Sequence, residues 1–155
     1  MSVHVTTKRI KKDWTDYNEH MNMAYYVLIF DLAWEIVLEK FKMGEHSAKT
    51  TKKSTMVVET HTTYNNEVKQ GDEVDIVLTY FDHDKKRLHF KLEMYEKSKQ
   101  TLSATIEMLS LYIDLGQRKV AEFEEEKIKI MDDFINKNKS EFNSDSLVFS
   151  GKLKK

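Results

Sequence analysis

Hydrophobic and polar positions along the chain alternate between a strand period and a helix period. Residues 3–10, VHVTTKRI, read as a short first strand, and 13–22 as a polar loop closing on Asn22, a residue type favoured at a helix N-cap. From 23 to about 42 the spacing is helical: Asp31, Glu35 and Glu39 fall four apart on one narrow polar stripe, surrounded by Val27, Leu28, Phe30, Leu32, Trp34, Val37 and Phe41. A helix this apolar must be wrapped by other apolar elements. Residues 55–68, 73–83, 86–97 and 101–114 supply them as four strand-like runs. The third alternates most cleanly, with Leu88, Phe90, Leu92 and Met94 facing a core and Arg87, His89, Lys91 and Glu93 facing water. The connectors KQGDE, HDKK and KSKQ are short and polar, which suits antiparallel hairpins rather than parallel crossovers. Residues 123–139 place apolar side chains at 128, 131, 134 and 135 and predict a terminal amphipathic helix, followed by a mobile tail. The order is strand, long buried helix, four antiparallel strands, helix: an α+β chain.

Composition narrows this further. A length of 155 residues suits a single domain, with 1–122 as its body and 123–155 as a C-terminal helix and tail belonging to it. Lys and Arg number 25 against 26 Asp and Glu, so no global charge favours nucleic acid or an anionic membrane as partner. The absence of cysteine removes disulfides and thiolate sites and fits a reducing cytoplasm. The N-terminus is too polar for a signal peptide, and the most apolar run, 23–38, includes Asp31 and Glu35, which makes it a buried helix rather than a membrane span.

Chemistry concentrates in residues 13–26, DWTDYNEHMNMAYY, directly before the apolar helix. Two readings compete there. Asp, Asn and His ahead of a helix are ordinary capping and turn residues. Alternatively, a loop carboxylate, Asp16, is delivered to a helix N-terminus, where unpaired N–H groups and the helix dipole favour developing negative charge; amides around Asn22 to Ala24 are then natural oxyanion donors. Glu59 and His61 share one face of the strand 55–68, opposite Thr60, Thr62 and Tyr64. They make a cross-strand pair or part of a pocket, and without a third ligand at metal spacing they predict no metal site. Lys85, Lys86 and Arg87 form a basic turn able to hold phosphates, or simply a solvated one, and Lys8, Arg9, Lys11 and Lys12 form a second cluster with the same ambiguity. Among the aromatics, Trp14, Tyr17, Tyr25 and Tyr64 are candidates for a cage around a quaternary ammonium group.

The segments DYNEHMN and AYY, together with VVETHTTYNNEVKQGDEV and KRLHFKLEMYEKSKQTLSATIEMLSLYIDL, resemble the 4-hydroxybenzoyl-CoA thioesterase family, most closely its betainyl-CoA branch associated with carnitine degradation. That resemblance implies a hot-dog fold, in which a curled antiparallel sheet wraps a long helix. It implies hydrolysis of an acyl-CoA, with coenzyme A as part of the substrate and no separate cofactor, by a homodimer or dimer of dimers. It also assigns roles: Asp16 as catalytic carboxylate, Met23 as the residue whose backbone N–H polarises the thioester carbonyl, and His20 as a tuning or structural neighbour. Asn18, Tyr17, Tyr25, Glu59, His61 and Tyr64 would then shape the substrate site, and Lys85, Lys86 and Arg87 would bind CoA. Glu19 stands where the family signature has glycine, so a positive φ there would carry strain. A non-catalytic acyl-CoA sensor and a hot-dog hydratase or dehydratase are the alternatives.

Overall fold

The computed structural model describes residues 2–155. Strand β1 (Val3–Arg9) leads through a 3-10 turn at Lys12–Trp14 into helix α1 (Met23–Lys40), and a short helix α2 (Glu45–Thr51) follows. Strands β2 (Lys53–Tyr64), β3 (Glu73–His83), β4 (Arg87–Glu96), β5 (Thr101–Asp114) and the short β6 (Lys119–Val120) come next, then helix α3 (Glu125–Asn138). All pairings are antiparallel in the order β1-β3-β4-β5-β2, with β6 on the end of β5. Bulges interrupt the register between Val57 and Glu59, between Leu78 and Tyr80 and between Met94 and Tyr95. Each adds local bend and twist, and together they curl the sheet. This is the hot-dog fold: the concave face of the sheet closes on α1. No described helix is long and apolar enough to cross a membrane.

Helix α1 begins where Asn22 caps it, Oδ1 accepting the Ala24 N–H at 3.0 Å. It ends where Lys42 turns left-handed and Gly44 passes close beneath the Glu39 and Glu35 carboxylates. Tyr26, Ile29, Phe30, Ala33, Trp34, Val37 and Leu38 face the sheet, and the Trp34 ring stacks on Phe90. The opposite side departs from the expectation that the helix would be wrapped all round. Val27, Leu28, Leu32 and Ile36 remain exposed there beside Asp31, and they lie on the same side of the molecule as the free edge of β2, where Met56, Val57 and Val58 are exposed too. An apolar stripe beside an unpaired strand edge is the kind of surface that partners commonly cover.

Two further departures concern the rest of the surface. Helix α2 lies in a stretch without clear periodicity, and its first turn is held by Glu35, which accepts the Glu45 N–H at 2.8 Å. The last residues are not a loose tail but a strap across the convex face of the sheet. Asn143 donates its N–H to the Thr79 carbonyl, Val148 and Phe149 donate theirs to the Glu107 carboxylate, and Lys154 donates its own to Asp84. His89 does point outward, as its alternation requires, but it is 2% exposed because Phe149 and the strap cover it. It pairs there with Glu107 at 2.7 Å, itself 1% exposed. Burial pushes the Glu107 carboxyl up, but the two strap amides and the His89 ring outweigh it and hold the group below the usual carboxylate range. Helix α3 packs Phe134 against Phe41 and Phe81, and Lys42 pairs with Glu126, so it pads the end of the fold where α1 finishes.

Candidate active site

The loop between the 3-10 turn and α1 is a tight excursion pinned at its neck. Thr15 and Met21 bridge across it, the Asp16 N–H meets the His20 carbonyl at 3.1 Å, and the Met21 N–H reaches the Val68 carbonyl at 2.9 Å. Within the loop, Asp16 Oδ1 accepts the Asn18 N–H at 2.8 Å, an Asx turn. Glu19 adopts φ 67°, the left-handed region in which glycine would be unstrained. The backbone therefore keeps the glycine-like geometry although the side chain is glutamate.

At the start of α1 three residues flanking Met23 have their N–H groups satisfied. The Asn22 N–H goes to the Trp14 carbonyl, Ala24 to the Asn22 side chain and Tyr25 to the Asn22 carbonyl. The Met23 N–H has no acceptor among the described residues, and neither Asp16 Oδ2 nor this amide is engaged elsewhere in the loop. A free amide at the positive end of a helix and a carboxylate with one uncommitted oxygen thus occupy the same short loop. Met23 itself is 68% exposed, on the side that carries the apolar stripe.

The other candidates divide. His20 turns toward Glu67, its Nε2 3.0 Å from that carboxylate, and its backbone bridges to Lys69. Glu67 had no signal of its own in the sequence, because at the end of the strand-like run 55–68 it reads as one more polar position. Tyr64 lies on the concave side against Tyr26 at 5.3 Å, edge to face. Thr60 and Thr62, opposite the inward Met108 and Ile106, share that face; the alternation of the strand already placed them with Tyr64. Tyr25 stacks directly on Trp14 at 6.1 Å, and Tyr17 is 94% exposed, so within one chain these rings pair off and enclose no cage.

Glu59 and His61, expected either as an ordinary cross-strand pair or as residues facing a neighbouring subunit's helix terminus, share one face of β2. Their ladder partners are Leu109 and Glu107, on the convex face, and Glu59 lies 3.7 Å from Lys152 of the strap. The sheet stands between them and the Asp16 loop. Lys85, Lys86 and Arg87 sit at the far end of β3 from that loop, which adjoins the start of β3 through Lys69. The contour of β3 between them is about 30 Å, an upper bound on their separation in a curled sheet. Arg87 is moreover paired with the buried Asp84 at 2.8 Å. Within one chain the turn and the Asp16 loop therefore lie at opposite ends of β3. No group of three or more His, Cys, Asp and Glu placed to hold a metal occurs among the described residues.

The chain matches the thioesterase-like superfamily over residues 10–133. It is 29% identical over 114 residues to the betainyl-CoA thioesterase of Pseudomonas aeruginosa, an alignment covering 74% of this chain and 72% of that protein. Of solved structures, a Staphylococcus aureus protein in complex with CoA superposes with a TM-score of 0.83 at 22% identity, over 95% of this chain and 90% of that one. A 1,4-dihydroxy-2-naphthoyl-CoA thioesterase from Synechocystis gives 0.74 at 15% identity, over 83% and 94%.

Proposed function

The chain belongs to the thioesterase-like superfamily and is a thioester hydrolase acting on acyl-CoA, and from that premise we propose that it cleaves a short acyl-CoA of the betainyl type, with Asp16 as the catalytic carboxylate. The observation that carries the assignment is the free Met23 N–H at the start of α1, in the same loop as the partly uncommitted Asp16 carboxylate. Asp16 attacks the thioester carbonyl or activates a water to do so, and the carbonyl oxygen takes up negative charge against the Met23 amide and the helix dipole. His20, paired with Glu67, holds the loop rather than moving a proton. The identity to the Pseudomonas enzyme supports membership of the betainyl-CoA branch of the 4-hydroxybenzoyl-CoA thioesterase family.

The working unit is a homodimer formed through the free edge of β2 and the exposed stripe of α1. Leu28→Glu with Ile36→Glu places two carboxylates on that stripe and should convert the protein to a monomer in light scattering; an unchanged mass rules the surface out as the interface. The dimer also bears on the cage, because Tyr17 and Tyr64 are both exposed in the single chain and a neighbouring subunit would have to complete any enclosure. Tyr17→Ala and Tyr64→Ala should weaken binding of a trimethylammonium acyl group about fivefold or more relative to its neutral tert-butyl isostere. Equal losses for both esters remove the cage.

Free-thiol release from betainyl-CoA, acetyl-CoA, 4-hydroxybenzoyl-CoA and a medium-chain ester tests the whole reading. Fastest release from betainyl-CoA is expected, and preference for another ester reassigns the acyl group.

A further inference from the structure

An open cleft of about 510 Å³ lies between the end of β1, the 3-10 turn and the connection from β2 to β3. Lys8, Arg9, Lys11 and Lys12 line it, with the Trp14 indole and Gly71 between them. Arg9 is partly engaged, donating to the Gly71 carbonyl at 3.0 Å and lying 3.6 Å from Glu73. Lys8, Lys11 and Lys12 have no carboxylate within ion-pair distance among the described residues. Lys11 instead sits over the Trp14 ring, 5.1 Å from its centre. The acid nearest in sequence, Asp13, is exposed and does not line the cleft. In a chain of net charge −1, this is a concentrated cationic surface with little internal neutralisation.

Its position gives it a meaning. Trp14 forms the inner wall, and the same residue accepts the Asn22 N–H at 2.9 Å and stacks on Tyr25, two positions before Asp16. The cleft therefore opens directly beside the catalytic loop. We propose that it binds the phosphate-bearing 3′,5′-ADP end of the CoA ester, with Lys8, Lys11 and Lys12 pairing with phosphate oxygens while the pantetheine arm runs to Asp16. This rests on the acyl-CoA reading and adds where the nucleotide is held. Lysine ammonium groups on flexible stems suit phosphates as point charges, and displacing Lys11 from Trp14 would uncover an aromatic surface beside them.

The test compares wild type with the Lys8→Ala, Lys11→Ala, Lys12→Ala triple variant on a CoA ester and on the N-acetylcysteamine ester of the same acid, which lacks the nucleotide. The variant should raise KM for the CoA ester on the order of ten- to a hundredfold with kcat little changed and a flatter salt dependence. Its constants for the truncated ester should match wild type. Arginine at all three positions should restore the low KM, and 3′,5′-ADP should compete with the CoA ester in wild type, beyond the effect of sodium chloride at equal ionic strength, but not in the alanine variant. An unchanged KM for the CoA ester overturns the site while leaving thioester hydrolysis standing. Equal losses on both esters overturn it as well and make the lysines supports of the loop. If wild type releases thiol from neither ester, the acyl-CoA reading falls and the site falls with it.

Discussion

Asp16→Asn should lower turnover by at least about a hundredfold, the scale of losing an acid–base or nucleophilic carboxylate. The substitution suits the geometry. Asparagine keeps an oxygen where Asp16 Oδ1 accepts the Asn18 N–H, so the Asx turn and the bridge between Thr15 and Met21 survive. What is lost is the charge and the free Oδ2. Thermal unfolding and oligomeric mass should therefore match wild type while thiol release collapses. Asp13→Asn is the matched control, three residues earlier and exposed, and should cost no more than a few-fold. Near-wild-type turnover in Asp16→Asn, or equal losses in both variants, would remove Asp16 from the chemistry.

The largest stability effect is expected at Glu107, far from the site. Glu107→Ala leaves the His89 ring and the Val148 and Phe149 amides without their shared acceptor on a covered surface. Breaking a buried charged pair from one side costs about 3–5 kcal/mol. Glu107→Gln keeps the volume and one acceptor and should cost less, about 1–3 kcal/mol. The pH dependence follows from the depressed carboxyl. Its contribution is fully present above the ordinary unfolded value, near 4.3, and disappears as pH falls through the lower folded value. The stability gap between wild type and Glu107→Gln in urea should thus be wide at pH 7 and close in strong acid. A gap that does not narrow would mean the carboxylate charge is not what holds the strap. Limited proteolysis gives a second readout, since a released strap should be clipped between residues 142 and 155.

Much of the architecture could be read from local pattern. The bounds of β3 and β5 coincide with the apolar runs 73–83 and 101–114, and Asn22 is both the expected and the observed cap of α1. The strand expected at 55–68 stops at Tyr64 because Asn65 turns and donates to the Ser103 carbonyl, a contact between distant segments. The Asp16 loop was legible for the same reason as the cap: its residues act on neighbours a few positions away. Glu59 and His61 were correctly paired on one face, but which face is concave depends on the bulge at Val57 and Glu59 and on where α1 packs. Separation of Lys85 from Asp16 likewise needed the path of β3. The strap was invisible because its anchoring groups are backbone amides, which every residue has, meeting carboxylates from strands laid down much earlier.

That last pairing bears on the order of events during synthesis. Glu107 and His89 are made well before Val148 and Phe149, and a growing chain folds from its N-terminal side first. Through that interval the pair faces water on a sheet whose outer surface is unfinished. Only when residues 143–154 have emerged does the face close, so the outer side of the sheet is finished much later than its concave side.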